Sequence, residues 1–264
     1  MSEPTHSIEV IRHPSGAREA DVLAVEEPME LRVEGRPLMV TMRTPGHDRE
    51  LAAGLLYTEG VIDGPDDLMA MAHIRDPREP RDNTMDVRLA AGVSADAVAH
   101  LTSARREVYA SSACGVCGKA TIAQVLRRVP PLPSPRRADP ALLMRLPALM
   151  RPLQAAFEAT GGIHAAALFS FSGELEVLRE DIGRHNAVDK VLGWRLLADR
   201  APVDDRVLVI SGRAGFEIVQ KAAAAGVPVL ASVGAASSLA VSLAREAGIQ
   251  LVGFLRHDRL NEYC

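Results

Sequence analysis

Aromatic rings are scarce in this chain: one Trp, three Tyr and five Phe among 264 residues, so its core has to be aliphatic. Cysteine is scarcer still, at three, and a chain of this length can bury a sufficient core without disulfide staples. Neither sign of charge dominates. A formal net charge of -4 leaves no global basic field and excludes bulk affinity for nucleic acid or an anionic membrane. No apolar run approaches a membrane span, since the alanine-rich stretch from Lys221 to Gly226 is short and Pro228 follows it. The first residues, Met1 to His6, lack the basic and apolar regions of a signal peptide, so a cytoplasmic protein is expected. Internal repeats and low-complexity tracts are absent too. What remains is 47% hydrophobic and 24% charged, the balance of a soluble globular protein.

Two of the three cysteines form the clasp Cys114-Gly115-Val116-Cys117, inside Ser111 to Lys119. In a reducing compartment such a pair is reactive or metal-bound more often than a permanent bridge. Structural zinc wants four ligands, and no second Cys-x-x-Cys occurs, so a reactive thiol is favoured over the alternative, a zinc-binding module using Cys114, Cys117 and His164. A helix predicted to begin just after the clasp, with Lys119 in its first turn, would lower a thiol pKa toward the nucleophilic thiolate. The flanking glycines favour an exposed loop, which suits a thiol that must visit two partners. Cys264 reads as a surface residue.

Residues 1–128 read as a mixed α+β region carrying that loop. Met29–Val33 and Pro37–Met42 flank Glu34-Gly35 as the arms of a hairpin, and Leu51, Leu55 and Leu56 have helical spacing that ends near Gly60. Met85–Leu89 is a strand candidate, Ser94 a helix cap, and Lys119–Arg128 a helix. Residues 129–139, with four prolines between Val129 and Arg137, read as a semi-rigid linker. Asp139-Pro140 then opens a helix, and residues 140–264 form an α/β domain. His164–Phe171 and Leu175–Leu178 make a hairpin, followed by helix 184–197, strand 207–210, helix 214–225, strand 227–232, helix 237–247 and strand 249–255. This alternation predicts a mostly parallel sheet covered on both faces.

Four places in this second domain could hold a ligand. Glu180 to Lys190 packs charged and polar groups around a strand-to-helix junction, and His185 and Asp189 share a helix face, as do Asn186 and Lys190. Taken alone the segment is equally a helix cap with solvated ion pairs. The turns Ser211–Gly215, with Arg213, and Val233–Ser238 follow strands and open helices, where backbone amides and the dipole favour phosphate, although neither matches a P-loop or a dinucleotide fingerprint. Phe254-Leu255-Arg256-His257-Asp258-Arg259 places an aromatic ring beside two guanidinium groups, which suits a nucleotide diphosphate and a purine. His164, in Gly161 to Ala166, superficially resembles the His-x-Glu of zinc nucleobase deaminases, but Ala166 stands in place of the Glu and the cysteine pair precedes the histidine. Deaminase chemistry is therefore excluded while a deaminase-like fold is not, and His164 by itself reads as a strand-edge histidine.

Together these segments resemble the formate dehydrogenase accessory sulfurtransferases, the FdhD family. The resemblance runs through Thr41–Gly46, Leu55–Gly60, Ser111–Lys119, Glu180–Lys190 and Leu251–Phe254. It implies a sulfurtransferase: a cysteine desulfurase hands sulfur to Cys114 as a persulfide, with Cys117 in an auxiliary role. The sulfur then passes to Mo-bis(molybdopterin guanine dinucleotide) before that cofactor enters formate dehydrogenase. The resemblance places a cofactor-binding run at Phe254, Leu255, Arg256, His257, Asp258 and Arg259, beside which the residues add His185, Asp189 and Arg213. It also implies a cytidine-deaminase-like, three-layer α/β C-terminal domain, a homodimer, and no catalytic zinc.

Overall fold

The computed structural model describes residues 3–74, 83–93, 131–133 and 135–264. The expected helices after Ser94 and over Lys119–Arg128, and the clasp Cys114–Cys117, lie outside the described residues.

The chain opens with an antiparallel ribbon of β1 (Thr5–Arg12) and β2 (Ala17–Ala24). A four-stranded sheet follows, ordered β4-β3-β6-β5, from β3 (Glu27–Val33), β4 (Arg36–Arg43), β5 (Leu68–His73) and β6 (Thr84–Leu89). The β3–β4 hairpin turns through Glu34 and Gly35, both at positive φ (52° and 71°), the primed geometry whose twist matches that of paired strands. Side chains alternate across β3, so Met29, Leu31 and Val33 are buried beside Met85 and Val87 of β6. Helix α1 (Asp48–Thr58) covers them with Leu51, Leu55 and Leu56, the residues whose spacing predicts it.

The second sheet has the order β12-β11-β10-β9-β7-β8. Its strands are β7 (His164–Ser170), β8 (Leu175–Asp181), β9 (Arg206–Ile210), β10 (Val229–Ser232), β11 (Gln250–Gly253) and β12 (Asn261–Glu262). The sheet is mixed rather than mostly parallel. Only the β9–β10 and β10–β11 ladders are parallel, while β7 runs antiparallel to both β8 and β9, and β12 antiparallel to β11. The cause is the hairpin: β8 crosses over β7 through a helix to reach β9, so β8 and β9 share a direction and β7 between them opposes both. Sequence alternation reports the crossover but not the strand it skips.

Helices cover both faces, giving three layers. On one face α2 (Pro140–Met150) packs Leu143, Leu146 and Met150 over Ala165, Ala167, Phe169, Val207 and Val229. The opposite face, with Ala166, Leu168, Leu208 and Leu230, meets α4 (Arg184–Leu197), α5 (Phe216–Ala224) and α6 (Ser238–Ala247). A short α3 (Ala155–Thr160) leads into β7. Asp139 caps α2, its Oδ1 accepting the Ala141 N–H at 2.9 Å, with Pro140 in the first turn. The linker's described residues lie against this domain: Leu132 is buried and its N–H donates to Ala247 O, and Ala138 pairs with the Gln250 amide through both its N–H and its carbonyl.

The two lobes meet where α1 crosses α4, backbone against backbone at two glycines. A Cβ on Gly54 would collide with the Asp189 carbonyl, and one on Gly193 with the Glu50 carbonyl. Main chain cannot yield as a long side chain does, so Gly54→Ala is expected to cost about 3 kcal/mol or more of unfolding free energy. Gly64→Ala, with open space around it, should change stability by less than about 0.5 kcal/mol. Urea unfolding of the two variants checks the contrast.

Candidate functional site

The ends of β9, β10 and β11 and the turns beyond them are zipped together by main-chain hydrogen bonds. Gly234 N–H donates to Gly212 O at 3.2 Å, Ala214 N–H to Ala235 O at 3.0 Å, Ser237 N–H to Ala214 O at 3.1 Å and Phe254 N–H to Gly234 O at 2.8 Å. The Ser232 hydroxyl adds a bond to Gly212 O at 2.6 Å. Gly234 is required by this closeness, because its Cβ would lie 2.7–2.9 Å from Gly212 O and the Arg213 backbone. Ala214 is drawn into a bridge with Ala236, which is why α5 begins at Phe216 rather than 214. β11 stops at Gly253 because Phe254 takes a positive φ of 51°. The N-termini of α4, α5 and α6 all open from this edge, and their free amides and dipoles favour an anion there.

Arg213 and Phe254 are exposed at the edge. Arg256 is held there by neutral acceptors: its Nη1 donates to Val233 O at 2.7 Å and to Leu255 O at 2.8 Å. Carbonyls orient a guanidinium without cancelling its charge, so the positive charge stays uncancelled by a carboxylate. His257, Asp258 and Arg259 are exposed beyond it, and Arg259 O accepts the Arg256 N–H. Leu255 is placed otherwise: its side chain is fully buried in the core and its N–H is bonded to Ser232 O. His185 stays near the edge, its Nε2 3.1 Å from Glu217 Oε2 at the start of α5. Asp189, four residues on, is buried in the lobe interface, where its Oδ1 accepts from Thr58 Oγ1 at 3.0 Å and Lys221 Nζ at 2.8 Å. Burial pushes the Asp189 carboxyl up, and the Lys221 ammonium opposes this.

The Glu180–Lys190 segment is therefore divided between the strand-end edge and the lobe interface. Its ion pairs are buried, not solvated. Lys190 Nζ stands 2.7 Å from Asp181 Oδ2, and neither side chain is more than 1% exposed. Lys190 also donates to Thr44 O at 2.9 Å, and Asp181 accepts the Thr44 N–H at 3.2 Å and the Gly183 N–H at 2.8 Å. Asn186 joins them, donating to Asp181 Oδ1 at 3.0 Å and to Met42 O at 2.8 Å. The segments Thr41–Gly46, Leu55–Gly60 and Glu180–Lys190 thus meet at one interface through Thr44, Thr58, Asp181 and Lys190. Arg179 adds a two-pronged bridge to Glu50 of α1 at 2.6 and 2.8 Å. Burial alone would raise Glu50, but the hydrogen bonds from Arg179 and His47 outweigh it and hold that carboxyl below its ordinary range.

Two participants are invisible to local sequence reading. Glu217 reaches His185 only because α5 packs beside α4, and His164 reaches the edge only because β7 is antiparallel to β9. Cys114 and Cys117 fall outside the described residues.

A family model described as the FdhD/NarQ family matches residues 24–264. Among curated proteins, a sulfur carrier protein FdhD of Mycolicibacterium paratuberculosis is 48% identical, with 92% of this chain and 90% of the relative aligned. One from Anaeromyxobacter dehalogenans is 49% identical (97% and 90%), and one from Streptomyces avermitilis 46% identical (100% and 95%). A crystal structure from Desulfotalea psychrophila, assigned to the formate dehydrogenase accessory proteins, superposes with a TM-score of 0.72 at 25% identity, covering 98% of this chain and 95% of the other.

Removing one partner of a buried pair strands the other charge. Asp181→Asn and Lys190→Met are each expected to cost about 3–5 kcal/mol of unfolding free energy, and the double variant less than the sum of the two. A urea titration giving under about 1 kcal/mol for either single variant would show the pair to be solvated after all.

Proposed function

Because this chain belongs to the FdhD/NarQ family, we propose that it is a sulfur carrier serving formate dehydrogenase, with Cys114 as the carrying thiol. The observation that carries the proposal is identity of 46–49% to sulfur carrier proteins over at least 92% of this chain. In the first step the Cys114 thiolate attacks the terminal sulfur of a persulfide on a cysteine desulfurase. A new S–S bond forms, the donor's S–S bond breaks, and the donor leaves as a thiolate, so no outside oxidant or reductant is needed. Cys117, three residues along, is the auxiliary thiol. Its thiolate then attacks the Cys114 Sγ, forming a Cys114–Cys117 disulfide that a cellular dithiol reduces, and the S–S bond of the persulfide breaks to release the outer sulfur at the sulfide level. That sulfur passes to the molybdenum of its cargo, Mo-bis(molybdopterin guanine dinucleotide), where it replaces an oxygen ligand that leaves as water, ahead of that cofactor's insertion into the dehydrogenase. The protein works as a cytoplasmic homodimer; among the described residues no helix is long and apolar enough to cross a membrane.

The strand-end edge suits such a cargo. A guanine dinucleotide brings a diphosphate, for which three helix N-termini, Arg213 and Arg256 are the matching donors, and a purine, for which the exposed Phe254 ring is a stacking surface. His257 and Arg259 extend the basic rim.

Mass spectrometry after incubation with a desulfurase and cysteine is expected to show a gain of one sulfur atom that a thiol reductant removes. Cys114→Ala should abolish the gain and Cys117→Ala should not; an adduct that survives Cys114→Ala would overturn the assignment. Retention of the guanine-containing cofactor in a pulldown should fall about tenfold or more in Arg256→Ala, on the scale of one charge-assisted contact of about 1.5–3 kcal/mol. Unchanged retention would move the cargo site elsewhere.

A further inference from the structure

His164 opens β7, and since β7 opposes β9 in direction, this first residue stands at the same edge as the ends of β9, β10 and β11. The register is tight: Ser211 N–H donates to Ala165 O and Ser211 Oγ accepts the Ala165 N–H, both at 2.9 Å. A Cβ added to Gly212 would stand 3.3 Å from His164 Nδ1 and 3.5 Å from Arg184 Cβ. The imidazole and the first turn of α4 therefore both border Gly212 in the turn after β9.

The charged groups around it are Asp181, its partner across the β7–β8 ladder, and Arg184 and His185 on α4. Arg213 follows Gly212 in the turn after β9, and Glu217 of α5 lies beyond His185. Both carboxylates are committed, Asp181 to Lys190 and Glu217 to His185. Arg184 and His185 are the two basic side chains that act on the ring. Burial holds His164 below the ordinary histidine range, Arg184 and His185 push the same way, and Asp181 opposes them. The lowered pKa favours the neutral ring. An entering phosphate adds negative charge beside it and reverses the balance.

We propose that His164 is the proton-accepting contact for the anionic part of the cargo: the ring takes one proton from solvent as the diphosphate enters and holds that group as an imidazolium. This rests on the nucleotide-binding reading above. The sign follows from linkage. A ring more basic in the complex than in the free protein makes binding tighten as pH falls.

The test uses GDP and the full-length protein in isothermal titration calorimetry, in two buffers of different ionisation enthalpy. The wild type should take up more protons per GDP than His164→Gln, and its Kd should fall about three- to tenfold from pH 8 to pH 6 against less than about twofold in the variant. The ligand's own phosphate titrates in both proteins, so the difference belongs to His164. Equal proton uptake in the two overturns the inference and leaves the nucleotide reading standing, whereas a folded wild type that does not bind GDP overturns both. If His164→Gln does not fold, labelled histidine spectra of the wild type decide. One of the eight histidines should move its titration midpoint upward on adding GDP, and no movement overturns the inference.

Discussion

The buried Asp181–Lys190 pair is the constraint on which the arrangement of this molecule depends. Two charges at 2.7 Å with essentially no exposure carry a desolvation cost of several kcal/mol per ion, which their attraction offsets only if further hydrogen bonds satisfy what remains. They do: Thr44 supplies a carbonyl to the lysine and an N–H to the aspartate, and Asn186 and Gly183 complete the carboxylate. Thr44 comes from one lobe and the ions from the other. The network is complete only when the lobes are docked, and an undocked state would leave buried or half-buried charge with fewer partners. Such an interface specifies one relative orientation more strongly than an apolar contact of equal area, because sliding it breaks hydrogen bonds rather than merely exchanging neighbours.

That orientation matters because of what α4 does at its two faces. Asn186, Asp189 and Lys190 turn toward the other lobe, while His185 turns to Glu217 beside the strand-end edge. The glycine contacts at Gly54 and Gly193 bring α1 against α4 at backbone distance, and the Arg179–Glu50 bridge pins the start of α1 to β8. A helix braced along its length has a fixed first turn, and the first turn of α4 carries Arg184, which borders Gly212 as His164 does. The N-terminal lobe thus positions an element of the other domain whose first turn opens at the strand-end edge.

Much of the scaffold was legible in sequence because its signals are local. The Glu34-Gly35 turn, the Asp139-Pro140 cap and the bounds of α4 at Arg184 and Leu197 depend on residues adjacent in the chain. The direction of β7 was not, since a hairpin inserted beneath a crossover leaves the same alternation of strands and helices. Nor was the division of Glu180–Lys190 between two tasks. Four-residue spacing correctly puts His185 and Asp189 on related faces, but spacing does not say that Asp189 ends beneath Thr58 and Lys221. Leu132 shows a similar limit: proline content marks an extended connection, and only the fold reveals that this residue is buried against α6.

How the edge keeps positive charge available follows from how each arginine is held. Arg43 is paired to Asp48 through both Nε and Nη2, Arg179 to Glu50, and Arg195 to Glu176 and Asp205; these guanidinium groups are neutralised by carboxylates and serve structure. Arg256 is oriented instead by the carbonyls of Val233 and Leu255. A carbonyl fixes direction as well as a carboxylate does, yet it leaves the net charge in place. The same economy applies at Ser237, whose hydroxyl accepts the Ala240 N–H and caps α6 without adding an anion at the edge. Glu217, the carboxylate that does come near, is taken up by His185. At this edge Arg256 therefore keeps an oriented positive charge that no carboxylate has cancelled.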